Sequence, residues 1–308
     1  SFLLAILSLI ISLSLTCVIP LHVGLKSEDF FYPKFLYKSP SLILGTSRAF
    51  GGIVPELVGK KLDIERPLLN FAFTMANSPY GNAYFEATKK KVPSTTKNGL
   101  FILEVSPLAL STKQPNSNDN PDKYRELSGL LDQVFLSLSP NIEYMIKHAK
   151  RPLYKNLPKT LPELSIKSIN TSQGWKSFPK YDPKTAKENT EDGLKEYKKH
   201  FNENYFFSNK RLNIFKRLIE FFSNKGEVII VRLPTSKPMR KLEDNYYDSF
   251  DPLMDSIARE YNANYIAYSS EDSRFKTQDV HHLGEDSAKL LSGNLNRQIK
   301  ALLGKWAD

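Results

Sequence analysis

The chain has 308 residues, 41% of them apolar, and neither a repeat nor a long biased tract; this fits one α/β domain of ordinary size with an insertion and excludes wholesale disorder. Its formal charge of +10 favours anionic partners, but the basic residues are dispersed and no basic-aromatic motif occurs, which argues against nucleic acid. The one cysteine, Cys17, excludes an intramolecular disulfide framework and a cysteine-rich metal site.

Residues 2–23 carry no Lys, Arg, Asp or Glu, and their run of Leu, Ile, Phe and Val is long enough to cross a bilayer. No small-x-small cleavage site follows it. Residues 1–24 are therefore expected to form a transmembrane signal anchor in a lipid bilayer, with the remainder on the extracytoplasmic side. Residues 25–40 are aromatic and mixed in charge, including Phe30, Phe31, Tyr32, Phe35 and Tyr37. They read as an interfacial linker, because aromatic rings suit the head-group zone.

From residue 41 to 308, short apolar runs alternate with helical stretches, the pattern of a parallel sheet with crossover helices. Strands are predicted at Leu42 to Leu44, Leu68 to Phe73, Leu100 to Val105, Val228 to Leu233 and Tyr265 to Tyr268. Each is a short, mostly apolar run, as in strands buried on both faces. Leu212, Phe215, Leu218, Ile219 and Phe222 form a core stripe at helical spacing, and Ala288, Leu291, Leu295, Ile299 and Leu302 form another. About a hundred residues separate the third and fourth of these strands, too many for a simple crossover. Residues 108–205 are read as an insertion, rich in Pro and Lys, with a helix expected around Tyr124 to Leu138. Its role is open between a cap, a docking region and a surface elaboration.

Two features carry chemistry. The first is Gly45-Thr46-Ser47-Arg48, where a buried strand runs into a tight turn. The carboxyl ends of parallel strands form the ligand crevice, so Ser47 is a candidate nucleophile. A following helix would offer its N-terminal amides to an oxyanion. The competing reading is that Ser47 simply caps that helix. The second is Asp279-Val280-His281-His282-Leu283-Gly284, before the last helix. An Asp three residues ahead of a His can hold the imidazole Nδ1 and leave Nε2 free to take a serine proton. Adjacent histidines point apart, so a metal site at His281 and His282 is not expected.

Together these features resemble the SGNH hydrolase superfamily, in which a serine follows strand one and Asp-x-x-His precedes the last helix. The sequence is similar in particular to membrane-anchored acyl-transfer proteins that work beside membrane-bound O-acyltransferases, including the DltD-type D-alanylation and the alginate O-acetylation proteins. Gly45 to Arg48, Val54-Pro55-Glu56-Leu57 and Leu69-Asn70-Phe71-Ala72 carry that likeness. The resemblance implies a flavodoxin-like, three-layer α/β/α SGNH fold with Ser47 as nucleophile, His282 as general base and Asp279 as its orienter. It also implies a membrane O-acyltransferase partner, an anionic or neutral glycopolymer substrate, and no metal or other cofactor. The chain departs from the family where oxyanion donors are usually supplied. No glycine follows strand two, which continues to Met75, and no Asn follows strand three, which ends Glu104-Val105-Ser106. The amides of Ser47 and Met75 and the hydroxyl of Ser106 are the candidate donors. Arg48 is expected to pair with a carboxylate or hold an anionic group. Glu104 is either a site residue or the partner of a buried Arg, and Asn70 is expected to tie a strand end to a loop. An esterase or lipase acting on carbohydrate esters, and a non-catalytic accessory protein that binds a polymer or a membrane acyltransferase, are the alternatives.

Overall fold

The computed structural model describes residues 2–12, 31–77, 80–113, 129–148 and 173–304. At its centre five parallel strands lie in the order β2-β1-β3-β6-β7, with β1 Ser41–Leu44, β2 Leu68–Asn70, β3 Gly99–Glu104, β6 Gly226–Arg232 and β7 Asn264–Ala267. All five coincide with the apolar runs of the sequence. β1 and β3 are buried along their whole length, because helices cover both faces of the sheet. The second strand is shorter than expected. Beyond Asn70 the chain leaves regular pairing, but the amides of Phe71 and Phe73 still donate to the carbonyls of Ile43 and Gly45.

Alternation along the strands sends side chains into two cores. One contains Leu42, Leu44, Phe101, Leu103 and Ile230, against α4 (Asn82–Lys91), α7 (Asn209–Ser223) and α9 (Phe250–Glu260). The other contains Ile43, Ile102, Ile229 and Val231, against α2 (Ser47–Gly52), α3 (Pro55–Val58) and α10 (Glu285–Leu303). The molecule is thus a three-layer α/β/α assembly. Both helical stripes seen in the sequence face these cores, apart from Leu302, which is exposed in the last turn of α10: Leu218 and Phe222 of α7, and Leu291 and Leu295 of α10, are fully buried.

The chain winds from β1 to β2 on one side and then returns past β1 to β3 on the other. The crevice beyond β1 is the switch point where such sheets place their ligands. Ser47 stands there, at the first position of α2.

Two expectations change, and a third, the N-terminal span, falls largely outside the described residues. Residues 2–12 (α1) are helical with exposed apolar side chains, and the rest of the expected span, 13–23, lies outside the described residues. No helix among the described residues is long and apolar enough to cross a membrane. The described part of the supposed linker, 31–40, is built into the domain. Tyr32 and Phe35 are buried and pack on Tyr144, because their rings complete the core beside β2. Finally, residues 129–138 form turns and bends, not a helix. Gly129 adopts φ +58, a left-handed conformation that does not continue a right-handed helix. Residues 124–128 of that expected helix are outside the described residues.

The insertion contributes structure that hydrophobic periodicity does not announce. β4 (Ser111–Lys113) pairs antiparallel with β5 (Tyr205–Phe207) and joins its two ends. Between them lie α5 (Ile142–His148) and α6 (Pro183–Lys199). α6 is strongly polar and is started by Asp182, whose side chain accepts the amide of Thr185. α8 (Lys237–Tyr246) follows β6.

Lys91 offers a test of the packing at the end of α4. Its ammonium is buried, donates to the Leu136 carbonyl at 2.9 Å and the Ser137 hydroxyl at 3.1 Å, and burial pulls its pKa down to about 7. The folded form therefore holds fewer protons than the unfolded chain between about pH 7 and the ordinary lysine value near 10.5. Stability from this group rises with pH across that window and is absent below it. The difference in urea midpoint between the native protein and Lys91→Met should grow in favour of the native protein from pH 7 to pH 10. A difference independent of pH contradicts the buried amine.

Candidate active site

The turn after β1 is held from three directions. Gly45 has φ +140, and a Cβ there would meet Glu104 Oε2 at 2.6 Å, so only glycine fits. The Gly45 amide donates to the Tyr84 hydroxyl at 3.2 Å. Glu104, at the end of β3, accepts both the amide of Thr46 at 2.8 Å and its hydroxyl at 2.9 Å. Thr46 is the N-cap of α2, its side-chain oxygen accepting the Arg48 amide. The capping role that Ser47 might have filled therefore falls to its neighbour, and the Ser47 hydroxyl is left for other work.

That hydroxyl lies 2.8 Å from His282 Nε2, and His282 Nδ1 lies 2.7 Å from Asp279 Oδ2. Asp279 Oδ1 also accepts the amides of His281 and His282 at 2.9 and 2.7 Å, so one carboxylate fixes both the loop and the ring. The loop is closed by a bridge between Thr277 and Leu283 and by the Gln278 amide donating to the His282 carbonyl. Burial works against the Asp279 charge. The hydrogen bond and charge of His282, with the two amides, outweigh it and hold the carboxyl below its ordinary value. An ionised Asp279 fixes the tautomer with the proton on Nδ1 and leaves Nε2 as the base. This is the geometry of a serine nucleophile activated for attack. Ser47, His282 and Asp279, 235 residues apart at the extremes, are brought together as the sequence led one to expect.

The other candidate residues surround this line rather than join it. Arg48 is buried and pairs with Glu243 of α8 at 2.7 Å, a partner remote in sequence. Glu243 also bonds Arg232, which reaches Asp244 and Asp251. Burial alone would raise the Glu243 pKa, but Arg48, Arg232 and Arg240 outweigh it and keep the carboxyl low. Glu104 touches Thr46 and not Arg48; burial raises its pKa, opposed by Arg48 and Thr46. Asn70 donates to the carbonyls of Ala49 and Ile53 at 2.9 and 3.0 Å and accepts the Ala72 amide, tying β2 to the carbonyl end of α2. Ser106 Oγ accepts the Ala109 amide at 3.3 Å, just ahead of the single turn at Leu108–Leu110. Met75 packs against the apolar group of Leu108, Phe201, Met239 and Val280. The Ser47 amide, first in α2, has no acceptor within its helix and is free for an oxyanion.

The insertion supplies what the motifs did not indicate. Residues 173–182 run across the site as a strap. Trp175 Nε1 donates to the Gly51 carbonyl and the Lys176 amide to that of Phe50. The Phe178 ring lies 4.7 Å from the His282 ring and rests on Gly51, where a Cβ would strike it at 1.9 Å. Lys34 anchors the start of the strap, its buried ammonium donating to the carbonyls of Asn70 and Gly174. Behind the strap, α6 presses on the triad loop. Gly193 permits contact with Val280, and Tyr197 stands edge-on to His281, whose ring does not point away from that of its neighbour His282 as expected but lies 4.0 Å from it. Burial, with His282 and Arg48 nearby, holds His281 neutral. Glycines in a polar helix and a lone Phe in a Pro-rich stretch carry no periodic signal, so these residues were not legible in advance.

No group of three or more His, Cys, Asp or Glu among the described residues is placed to hold a metal ion. No protein-family model matches the chain, and no curated protein matches it significantly.

The charge cluster can be tested by Glu243→Ala. It leaves Arg48 and Arg232 without their shared buried carboxylate, and removing one partner of a buried pair typically costs about 3–5 kcal/mol. Thermal or denaturant unfolding should show a loss of that order. A loss below about 1 kcal/mol means that the arginines keep adequate partners without it.

Proposed function

We propose that the protein is an SGNH-type serine acyltransferase that works through a Ser47-linked acyl-enzyme. The observation that carries this reading is the continuous line from Asp279 through His282 to the Ser47 hydroxyl, with contacts of 2.7 and 2.8 Å. In the first half-reaction His282 Nε2 takes the Ser47 proton while Oγ attacks the donor carbonyl. The tetrahedral oxyanion is met by the Ser47 amide at the start of α2. Collapse breaks the bond to the leaving group, which receives the proton from His282. In the second half-reaction His282 deprotonates an acceptor hydroxyl, which attacks the acyl-serine and regenerates Ser47 with its proton.

The acceptor in this reading is a hydroxyl of a cell-surface glycopolymer, and the acyl group is expected to be acetyl. The apolar N-terminal segment would hold the domain on the extracytoplasmic face of a bilayer, beside a membrane-bound O-acyltransferase that supplies the acyl group. Such tethering raises the effective concentration of donor. Transfer is favoured over hydrolysis by the strap: Phe178 on His282 and Trp175 on Gly51 cover the base and limit its access to water. Water as acceptor would make the same machinery an esterase.

Two measurements test this on the full chain in detergent. A fluorophosphonate probe should label the native protein at Ser47, fail to label Ser47→Ala, and label His282→Ala and Asp279→Asn on the order of 10³–10⁴ times more slowly. A folded native protein that takes up no label, with undiminished biological activity in Ser47→Ala, would leave only a binding role. With an aryl acetate as donor and a polyol as acceptor, Phe178→Ala should raise the ratio of free acetate to acetylated polyol by severalfold. An unchanged ratio removes the strap from acceptor selection.

A further inference from the structure

A second concave site lies along the same edge of the sheet, independent of the triad. It is a cavity of about 560 Å³ between one face of α8 and the loop that leaves β7. Lys237, Arg240 and Lys241 of α8 line it, as do Asp244, Asp251 and Glu271. By count the charges cancel, but by pairing they do not. Asp244 and Asp251 are both engaged by Arg232, and Glu271 by Lys237. Arg240 and Lys241 have no carboxylate within ion-pair distance among the described residues. Arg240 is held in place by neutral groups: its Nη2 donates to the carbonyls of Leu233 and Tyr268 at 3.2 and 2.8 Å. Its Nε is buried and has no hydrogen-bond partner.

Glu243, Asp251 and Asp244 offset part of the Arg240 charge without touching it, but the unpartnered Nε still carries a desolvation cost that an anion seated beside the guanidinium would reduce. With Nη2 spent on the two carbonyls, the recognition is that of an anionic oxygen met by neighbouring guanidinium and ammonium charges, which suits a carboxylate or a phosphate. The facing wall offers Ser269 and Ser270 to hydroxyl groups of a ligand, and the volume is that of a small-molecule site. We propose that this cavity binds a small polyhydroxylated anion, a sugar acid or sugar phosphate, with Arg240 and Lys241 as the anion-recognising residues. The site is close to the triad loop in the fold, for Ser236, which caps α8, donates its amide to the Val280 carbonyl. Its occupancy does not depend on the acyltransferase reading.

Calorimetric titration of the full chain in detergent micelles with glucuronate, glucose 6-phosphate and glucose tests this. One or both anions should bind, and glucose should bind at least about tenfold more weakly. The tighter of the two anions distinguishes a carboxylate from a phosphate ligand. Arg240→Gln should weaken anion binding by about tenfold or more, and the exposed Lys241→Gln by about threefold, with Ser47→Ala unchanged. If Arg240→Gln does not fold, Lys241→Gln decides alone. Absence of anion binding, equal binding of glucose, or unaltered affinity in Lys241→Gln would each overturn the proposal.

Discussion

A buried carboxylate at the end of β3 sets the geometry on which the candidate site depends. Glu104 receives the amide and the hydroxyl of Thr46, and its side chain occupies the space where Gly45 lacks a Cβ. The turn between β1 and α2 is thereby fixed to the neighbouring strand. Because Thr46 caps α2, Ser47 begins the helix with a free amide and with a hydroxyl that meets His282 instead of capping the helix. A capping interaction that usually only stabilises a helix here also decides which hydroxyl faces the histidine.

Placing Glu104 in the core requires compensation, and the compensation extends well beyond the turn. Its Oε1 has no hydrogen-bond partner, and Arg48 supplies the nearby positive charge. Arg48 in turn is neutralised by Glu243, and Glu243 by Arg232 as well. The chain of alternating charge runs from β3 through α2 to α8 and β6. It links the Ser47 turn to the helix that also lines the cavity beside β7, so the two candidate sites share one electrostatic framework. Isolated buried pairs are weak evidence for stability, but a network with partners on four elements fixes their relative positions.

The insertion is part of the site rather than an appendage. Its strap lies over α2 and His282, and α6 supports the triad loop through Gly193 and Tyr197. The two short strands β4 and β5 join its ends beside α7. The line from Asp279 through His282 to Ser47, which would be open at the sheet edge, is thus roofed by a segment distant in sequence from all three of its members.

The five sheet strands, the α7 and α10 stripes and the Ser47, Asp279 and His282 set were readable in the amino-acid order alone. Short, mostly apolar runs specify buried strands whatever their partners, and an Asp-x-x-His spacing is short enough to act locally. Other features were legible only in space. The partner of Arg48 is 195 residues away, the aromatic residues at 31–35 are core rather than interface, and Phe178 meets His282 from a stretch with no periodicity. The physical reason is the range of the interaction. Hydrophobic patterning and helix capping are written in neighbouring residues, whereas charge compensation, close glycine contacts and the roof over Ser47 and His282 arise only when distant segments are packed against one another.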